Sequence, residues 1–158
     1  MKIAIASDHA AVDLKAELTD WLRSQGHEVN DLGPATADRV DYPDYGYKLA
    51  AIVAAGDADR GIVLCGSGIG ISIAVNRNPA CRAALVSEPL SAALAREHND
   101  ANVIALGARL TGGGIYAIVR KGDRKRGILM IIAGLVMFAN VGISAIPGPD
   151  VALMDGGN

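Results

Sequence analysis

Aromatic side chains make up only 4% of the 158 residues, with a single tryptophan and a single phenylalanine, and there are just two cysteines and three histidines. So sparse an aromatic content beside 19 glycines suits closely packed helices and strands, with several tight turns that let a ligand approach the backbone. Cys65 and Cys81 stand too far apart for a Cys-x-x-Cys pair and match no zinc spacing, which points to a reducing compartment, the cytoplasm. No two of His9, His27 and His98 fall at i, i+3 or i, i+4 on a helix, so no metal set is expected. An excess of one charge is also missing. The net charge of −2 and a pI near 5.9 remove nucleic acid as a default partner while leaving local charge for small acidic ligands. The amino terminus lacks the long apolar core of a signal peptide, because Asp8 interrupts it early, and it reads as a first strand.

What is present is a 51% share of hydrophobic residues, ample for one layered core in one domain. Ile3 to Ala6 is a short apolar run ending in Ser7-Asp8-His9, the pattern of a buried parallel strand reaching its carboxyl end. Leu14, Leu18, Trp21 and Leu22 then recur at helical spacing, with Lys15, Glu17, Asp20 and Arg23 between them and Gly26 as a stop. His27 to Val29 makes a weak second strand. Gly33-Pro34 and Tyr42-Pro43 mark an irregular connection, followed by an alanine-rich helix from about Asp44 to Ala55 that Gly56 closes. Gly61 to Leu64, Ala83 to Val86 and Val103 to Leu106 are apolar throughout, as strands buried on both faces are. This alternation predicts an α/β fold: a Rossmann-like, open, parallel five-stranded sheet with helices on both faces and ligands at the carboxyl ends of the strands.

Those ends carry Ser7-Asp8-His9, Cys65-Gly66-Ser67-Gly68-Ile69-Gly70 and Gly107-Ala108-Arg109, with His98-Asn99-Asp100 just before the last strand, and all are expected to converge at one mouth. The glycine-rich turn leaves a strand and opens a helix from Ile71 to Asn76, so its backbone N–H groups form an anion cradle at the positive end of that helix. No Gly-Lys-Ser/Thr follows, and a dinucleotide fingerprint belongs after the first strand, so nucleotide binding drops out. A lone cysteine is most often structural, and Cys81 is read that way. Cys65 instead opens the turn, beside Ser67 and a set of N–H donors, where a helix dipole favours a thiolate; it is the candidate base. Ordinary roles compete at other positions: Asp8 as a helix N-cap, His98 as a helix C-terminal histidine, Arg109 as a surface cation, and the glycines as a packing device.

Taken in order, Ser7-Asp8-His9-Ala10-Ala11, Asp41-Tyr42-Pro43-Asp44, Cys65-Gly66-Ser67-Gly68-Ile69-Gly70 and His98-Asn99-Asp100-Ala101-Asn102 with Leu106-Gly107-Ala108-Arg109 resemble the type B ribose-5-phosphate isomerase family, which also includes galactose- and allose-6-phosphate isomerases. The resemblance implies an aldose–ketose interconversion through an enediol, without metal or cofactor. The expected substrate is ribose 5-phosphate with ribulose 5-phosphate or another sugar phosphate, and the expected assembly a homodimer or homotetramer with shared sites. By the same resemblance Cys65 matches the base that moves the proton, Ser67 a relay at the substrate oxygens, and His98 the acid that opens the furanose ring. Asp8 and Tyr42 match contacts to ring and hydroxyl groups, Asn99 matches a substrate contact, and His9 and Arg109 match phosphate-side contacts. Gly66, Gly68, Ile69 and Gly70 form the turn whose N–H groups stabilise the enediolate. Some relatives place a glutamate base where this sequence has Ile71, so Cys65 sets this chain in the thiol branch.

The resemblance covers residues 1–112 as an isomerase core and then stops, leaving 113–158 as an atypical C-terminal segment. Ile128 to Ala139 has no polar side chain and is expected to form a helix over about 127–140, packed in a core or at an oligomer interface. A membrane segment is the weaker reading, because Asn140 and glycines interrupt the run. A changed reading frame is a third, since motifs end at Gly112-Gly113-Gly114. Arg124 and Arg126 are the nearest substitutes for a phosphate-holding arginine, without support from spacing.

Overall fold

A computed structural model describes residues 1–109. The atypical segment, the helix expected over 127–140, Arg124 and Arg126 lie outside the described residues. The elements run β1 (Lys2–Ser7), a 3-10 turn (His9–Ala11), α1 (Val12–Ser24), β2 (Glu28–Asp31), α2 (Tyr42–Ala55), β3 (Arg60–Cys65), α3 (Ile69–Val75), β4 (Ala83–Leu85), α4 (Pro89–Asn99) and β5 (Val103–Gly107). The five strands pair in parallel in the order β2-β1-β3-β5-β4, the expected α/β sheet with helices on both faces.

The period-two geometry of a strand sorts its side chains between two faces, and here the faces differ in volume. Ile3, Ile5, Ile62, Leu64, Ile104 and Leu106 turn toward α1 and α4, where Leu18, Leu22, Ala92 and Ala95 meet them. Ala4, Ala6, Val63, Cys65, Val103 and Ala105 turn toward α2 and α3, where Leu49, Val53, Ile71 and Val75 pack. Small side chains on that second face let its helices approach closely: a Cβ on Gly61 would fall 2.7 Å from Leu49 Cδ2. Ile5, Leu49, Ile62 and Leu64 are at most 2% exposed, and burying each such side chain contributes about 1.5–3 kcal/mol.

Element ends follow local chemistry. Asp8 Oδ1 accepts the Ala10 N–H at 2.9 Å and caps the turn that leads into α1, so the capping role is real. α2 starts at Tyr42, two residues before the sequence expectation, since Pro43 fits a first helical turn. The Glu88 carboxylate accepts both the Leu90 and Ser91 N–H groups at 2.7 Å and starts α4; the Ser91 side chain first, and then these backbone groups, hold its carboxyl below the ordinary range. β2 is an edge strand, largely exposed, which is why its sequence signal is weak and falls short of Asn30 and Asp31. Among the described residues no helix is long and apolar enough to cross a membrane.

Candidate active site

The three central strands end side by side. Ser7 of β1 is in register with Leu64 of β3, and Cys65 with Gly107 of β5. Two further backbone bonds, Asp8 N–H to Leu64 O at 3.0 Å and Arg109 N–H to Gly66 O at 2.9 Å, carry that alignment into the loops. Asp8, His9, Cys65, Gly66, Ser67 and Arg109 are thereby brought to one mouth, and the Arg109 side chain lies against Gly66, where an added Cβ would be 3.3 Å from its Nε. α2 joins them through its first residue. A Cβ on Gly70 would fall 2.7 Å from Cε2 and Cζ of Tyr42, so the phenol ring rests on a position where only hydrogen fits.

Cys65 is 4% exposed, and its Sγ accepts the Gly68 N–H at 3.0 Å. Ser67 Oγ accepts the Ile69 N–H at 3.3 Å, while Ile69 itself stands exposed at the rim. The cradle read from the sequence as open to an anion is thus partly turned inward: one donor is aimed at the atom that carries negative charge when a thiol acts as a base. Gly68 is the hinge of this arrangement. Its φ of +78° is left-handed, and a Cβ would come within 2.9 Å of the Leu106 carbonyl carbon and 3.0 Å of the Gly107 nitrogen, because the turn passes directly over β5. Cys81 contrasts with Cys65. It is buried beside the Ala50 carbonyl, 3.6 Å from its Sγ, and burial pushes its thiol up, as suits a structural cysteine.

His9 is held by a partner with no sequence signal, a backbone. Its Nδ1 lies 3.0 Å from the Val40 oxygen and 3.3 Å from the Val40 nitrogen. Val40, Asp41, Asp44, Tyr45 and Lys48 line an adjoining cavity of about 330 Å³. Among the described residues no three His, Cys, Asp or Glu side chains gather into a group that could hold a metal ion.

His98 and Asn99 do not join the mouth. They form the last turn of α4, which runs antiparallel to the strands and ends at the amino end of the sheet. There Gly61, near the start of β3, donates to Asn102 O at 2.9 Å, and Arg82 Nε donates to Asp100 O at 2.8 Å. Arg60 to Cys65 spans roughly 16 Å at about 3.3 Å per residue, and His98 lies at the far end of that distance. The expectation that all strand-end motifs converge within one chain fails here because "just before β5" means the opposite edge from "just after" it. Asp100 closes this helix end: it sits at a left-handed φ of +47°, ion-paired to Arg82 at 2.7 Å and to Arg96 at 2.5 Å. Arg96 above all, with Arg82, holds its carboxyl below the ordinary range.

A family of ribose/galactose isomerases matches residues 3–121 of the chain. The chain belongs to that family. Ribose-5-phosphate isomerase B of Escherichia coli is 48% identical over 111 residues, 70% of this chain and 74% of that protein. Galactose-6-phosphate isomerase subunit LacB of Clostridium acetobutylicum is 44% identical over 115 residues, 73% of this chain and 66% of that one. The crystal structure of a ribose 5-phosphate isomerase from Thermotoga maritima superposes with a TM-score of 0.76 at 41% identity, covering 88% of this chain and 86% of that one. Membership in the ribose/galactose isomerase family makes the mouth at β1, β3 and β5 the place to look for sugar-phosphate isomerase chemistry.

Proposed function

We propose that this chain interconverts ribose 5-phosphate and ribulose 5-phosphate without metal or cofactor, with Cys65 as the base. The observation that carries the reading is the Cys65 sulfur at the end of the central strand, facing a backbone N–H and flanked by Asp8, His9, Tyr42 and Arg109. In the open-chain aldose, the thiolate takes the proton from C2 and the C–H electrons become the C1=C2 bond of an enediolate. A proton passes from O2 to O1, with Ser67 as the relay, and the Cys65 thiol returns its proton to C1, giving the ketose. His9 and Arg109 meet the phosphate side, and Asp8 and Tyr42 the hydroxyl groups. The turn's glycines, Gly66, Gly68 and Gly70, let backbone and substrate approach each other.

His98 and Asn99 act in this scheme from a second copy of the chain, His98 opening the furanose ring. Their position at the amino end of the sheet supports sharing, as do the exposed Ile69 and Ile73 of α3 and Leu90 and Leu94 of α4, apolar i, i+4 pairs that a homodimer or homotetramer would cover.

The first test is turnover of ribose 5-phosphate by the full chain, before and after thiol alkylation with the modified cysteine located by mass spectrometry. Turnover lost with modification at Cys65 supports the reading; full turnover by a chain alkylated at Cys65 sinks it. A six-carbon sugar phosphate is the second reading, favoured by the 44% identity to the galactose-6-phosphate isomerase subunit. A higher kcat/KM on galactose 6-phosphate or allose 6-phosphate than on ribose 5-phosphate would install it.

A further inference from the structure

Away from the glycine-rich turn lies an ion pair whose cation is buried while its carboxylate, on the edge strand β2, reaches solvent. Lys15, in the second turn's reach of α1, is 2% exposed, and its Nζ is 2.5 Å from both carboxylate oxygens of Asp31 at the end of β2. Taking an ammonium out of water costs several kcal/mol, which pairing offsets and rarely exceeds; an apolar residue of similar size would stabilise the fold at least as well. Stability alone therefore does not account for the pair, and its contacts suggest what does.

Asp31 Oδ1 also accepts the Gly33 N–H at 2.9 Å. Gly33 in turn accepts the Ser7 N–H at 3.0 Å, at the end of β1, and the neighbouring Leu32 carbonyl accepts Lys48 Nζ at 2.9 Å. These bonds fix the start of the connection 32–41. Its other end is Val40, whose backbone faces His9 Nδ1, and Asp41, which leads into Tyr42 on Gly70. The connection is a strap, with Asp31 at one end and two site residues at the other.

We infer that Lys15 and Asp31 are positioning residues for sugar-phosphate binding: their ion pair sets the strap, and through Val40 the strap sets the ring of His9. The inference rests on the reading above in which His9 meets the phosphate side. Lys15 contacts no substrate in this account; it acts through Asp31.

The test uses two variants of the full chain, Lys15→Met, which keeps the apolar stem, and Lys15→Met with Asp31→Asn, which removes both charges and retains an acceptor for Gly33. Asp31 reaches solvent, so neither variant leaves an unpaired charge in the interior, and the double variant removes the leftover carboxylate charge as well. Two readouts separate positioning from packing. The first is the side-chain ¹⁵N–¹H correlation of the three histidines, with His9 assigned through His9→Gln. The expected result is a displaced His9 ring signal with His27 and His98 unmoved. The second is kinetic: KM for ribose 5-phosphate rises about tenfold, the cost of a weakened hydrogen bond to a charged group, while kcat changes by less than about threefold. An unmoved His9 signal in folded protein overturns the inference, whatever happens to the melting temperature. A His9 signal that moves with KM unchanged also overturns it, since the strap would then not serve binding. The histidine spectrum needs no turnover, so a wild-type chain inactive on every sugar phosphate would remove the isomerase reading and leave the Lys15–strap–His9 linkage measurable on its own.

Discussion

Cys65 and Cys81 are both buried, yet one sulfur faces an N–H donor and the other a carbonyl oxygen. That difference, not exposure, separates a candidate base from a filler of space. Cys65→Ala is expected to lower kcat by about 10²- to 10⁴-fold, the usual contribution of a positioned base, with the circular dichroism spectrum unchanged. Cys81→Ala should keep kcat and lose only stability; steady-state kinetics on both variants checks the contrast. Gly70 offers a second residue-level test. In Gly70→Ala the new Cβ would stand 2.7 Å from the Tyr42 ring, so the ring must shift, and a misplacement of about 1 Å costs on the order of 100-fold in kcat/KM. An unchanged kcat/KM would mean that Tyr42 has no role at the substrate.

At the scale of elements, the sequence resolves what periodicity and turn chemistry encode. The runs at Ile3, Gly61 and Val103 are legible as buried strands because each is apolar on both faces, and Cys65 is legible because it stands where such a run meets glycines. Lys15 is misread as one of the polar residues between apolar positions of α1, although it lies three, four and seven residues before the buried Leu18, Thr19 and Leu22 and so on their face. The spacing carried that signal; a lysine's usual place at the surface hid it. Val40 is invisible for another reason, since it acts through its backbone. The turn after β3 predicts its own fragility: Gly68→Ala adds a side chain at a left-handed φ and against β5, and it should cost at least about 1–3 kcal/mol in chemical denaturation. The close of α4 predicts a pH dependence. The Asp100 carboxyl titrates below the ordinary aspartate value of 3.8 in the folded chain, so its contribution is present above that value and is lost as pH falls through the lower, folded one. Asparagine tolerates the left-handed backbone. Asp100→Asn should therefore lower the melting temperature at neutral pH, with the gap to wild type closing as the solution is acidified below 3.8.

For the whole molecule, the decisive fact is that the two halves of the motif set lie at opposite ends of the central strands. Sequence order could not reveal this, because His98 and Arg109 flank the same short strand from its two ends. Under the shared-site proposal, Cys65→Ala and His98→Ala are each inactive alone, yet a co-expressed mixture forms hetero-dimers with one intact site. Random pairing should restore about a quarter of wild-type activity. A mixture as inactive as its components would rule out sharing.

The unequal faces of the sheet carry a lesson for anyone who would alter the substrate range. The site lies on the side where the strands contribute mainly alanine, valine and glycine and where the larger side chains, Leu49, Ile71 and Val75, hold α2 and α3 against the sheet, so trimming them would loosen the core. Room for a longer sugar cannot be carved out beneath Cys65. It has to come from the rim, where the cavity beside Val40 and Asp41 already opens and where redesign of the connecting strap would act as a ruler for chain length.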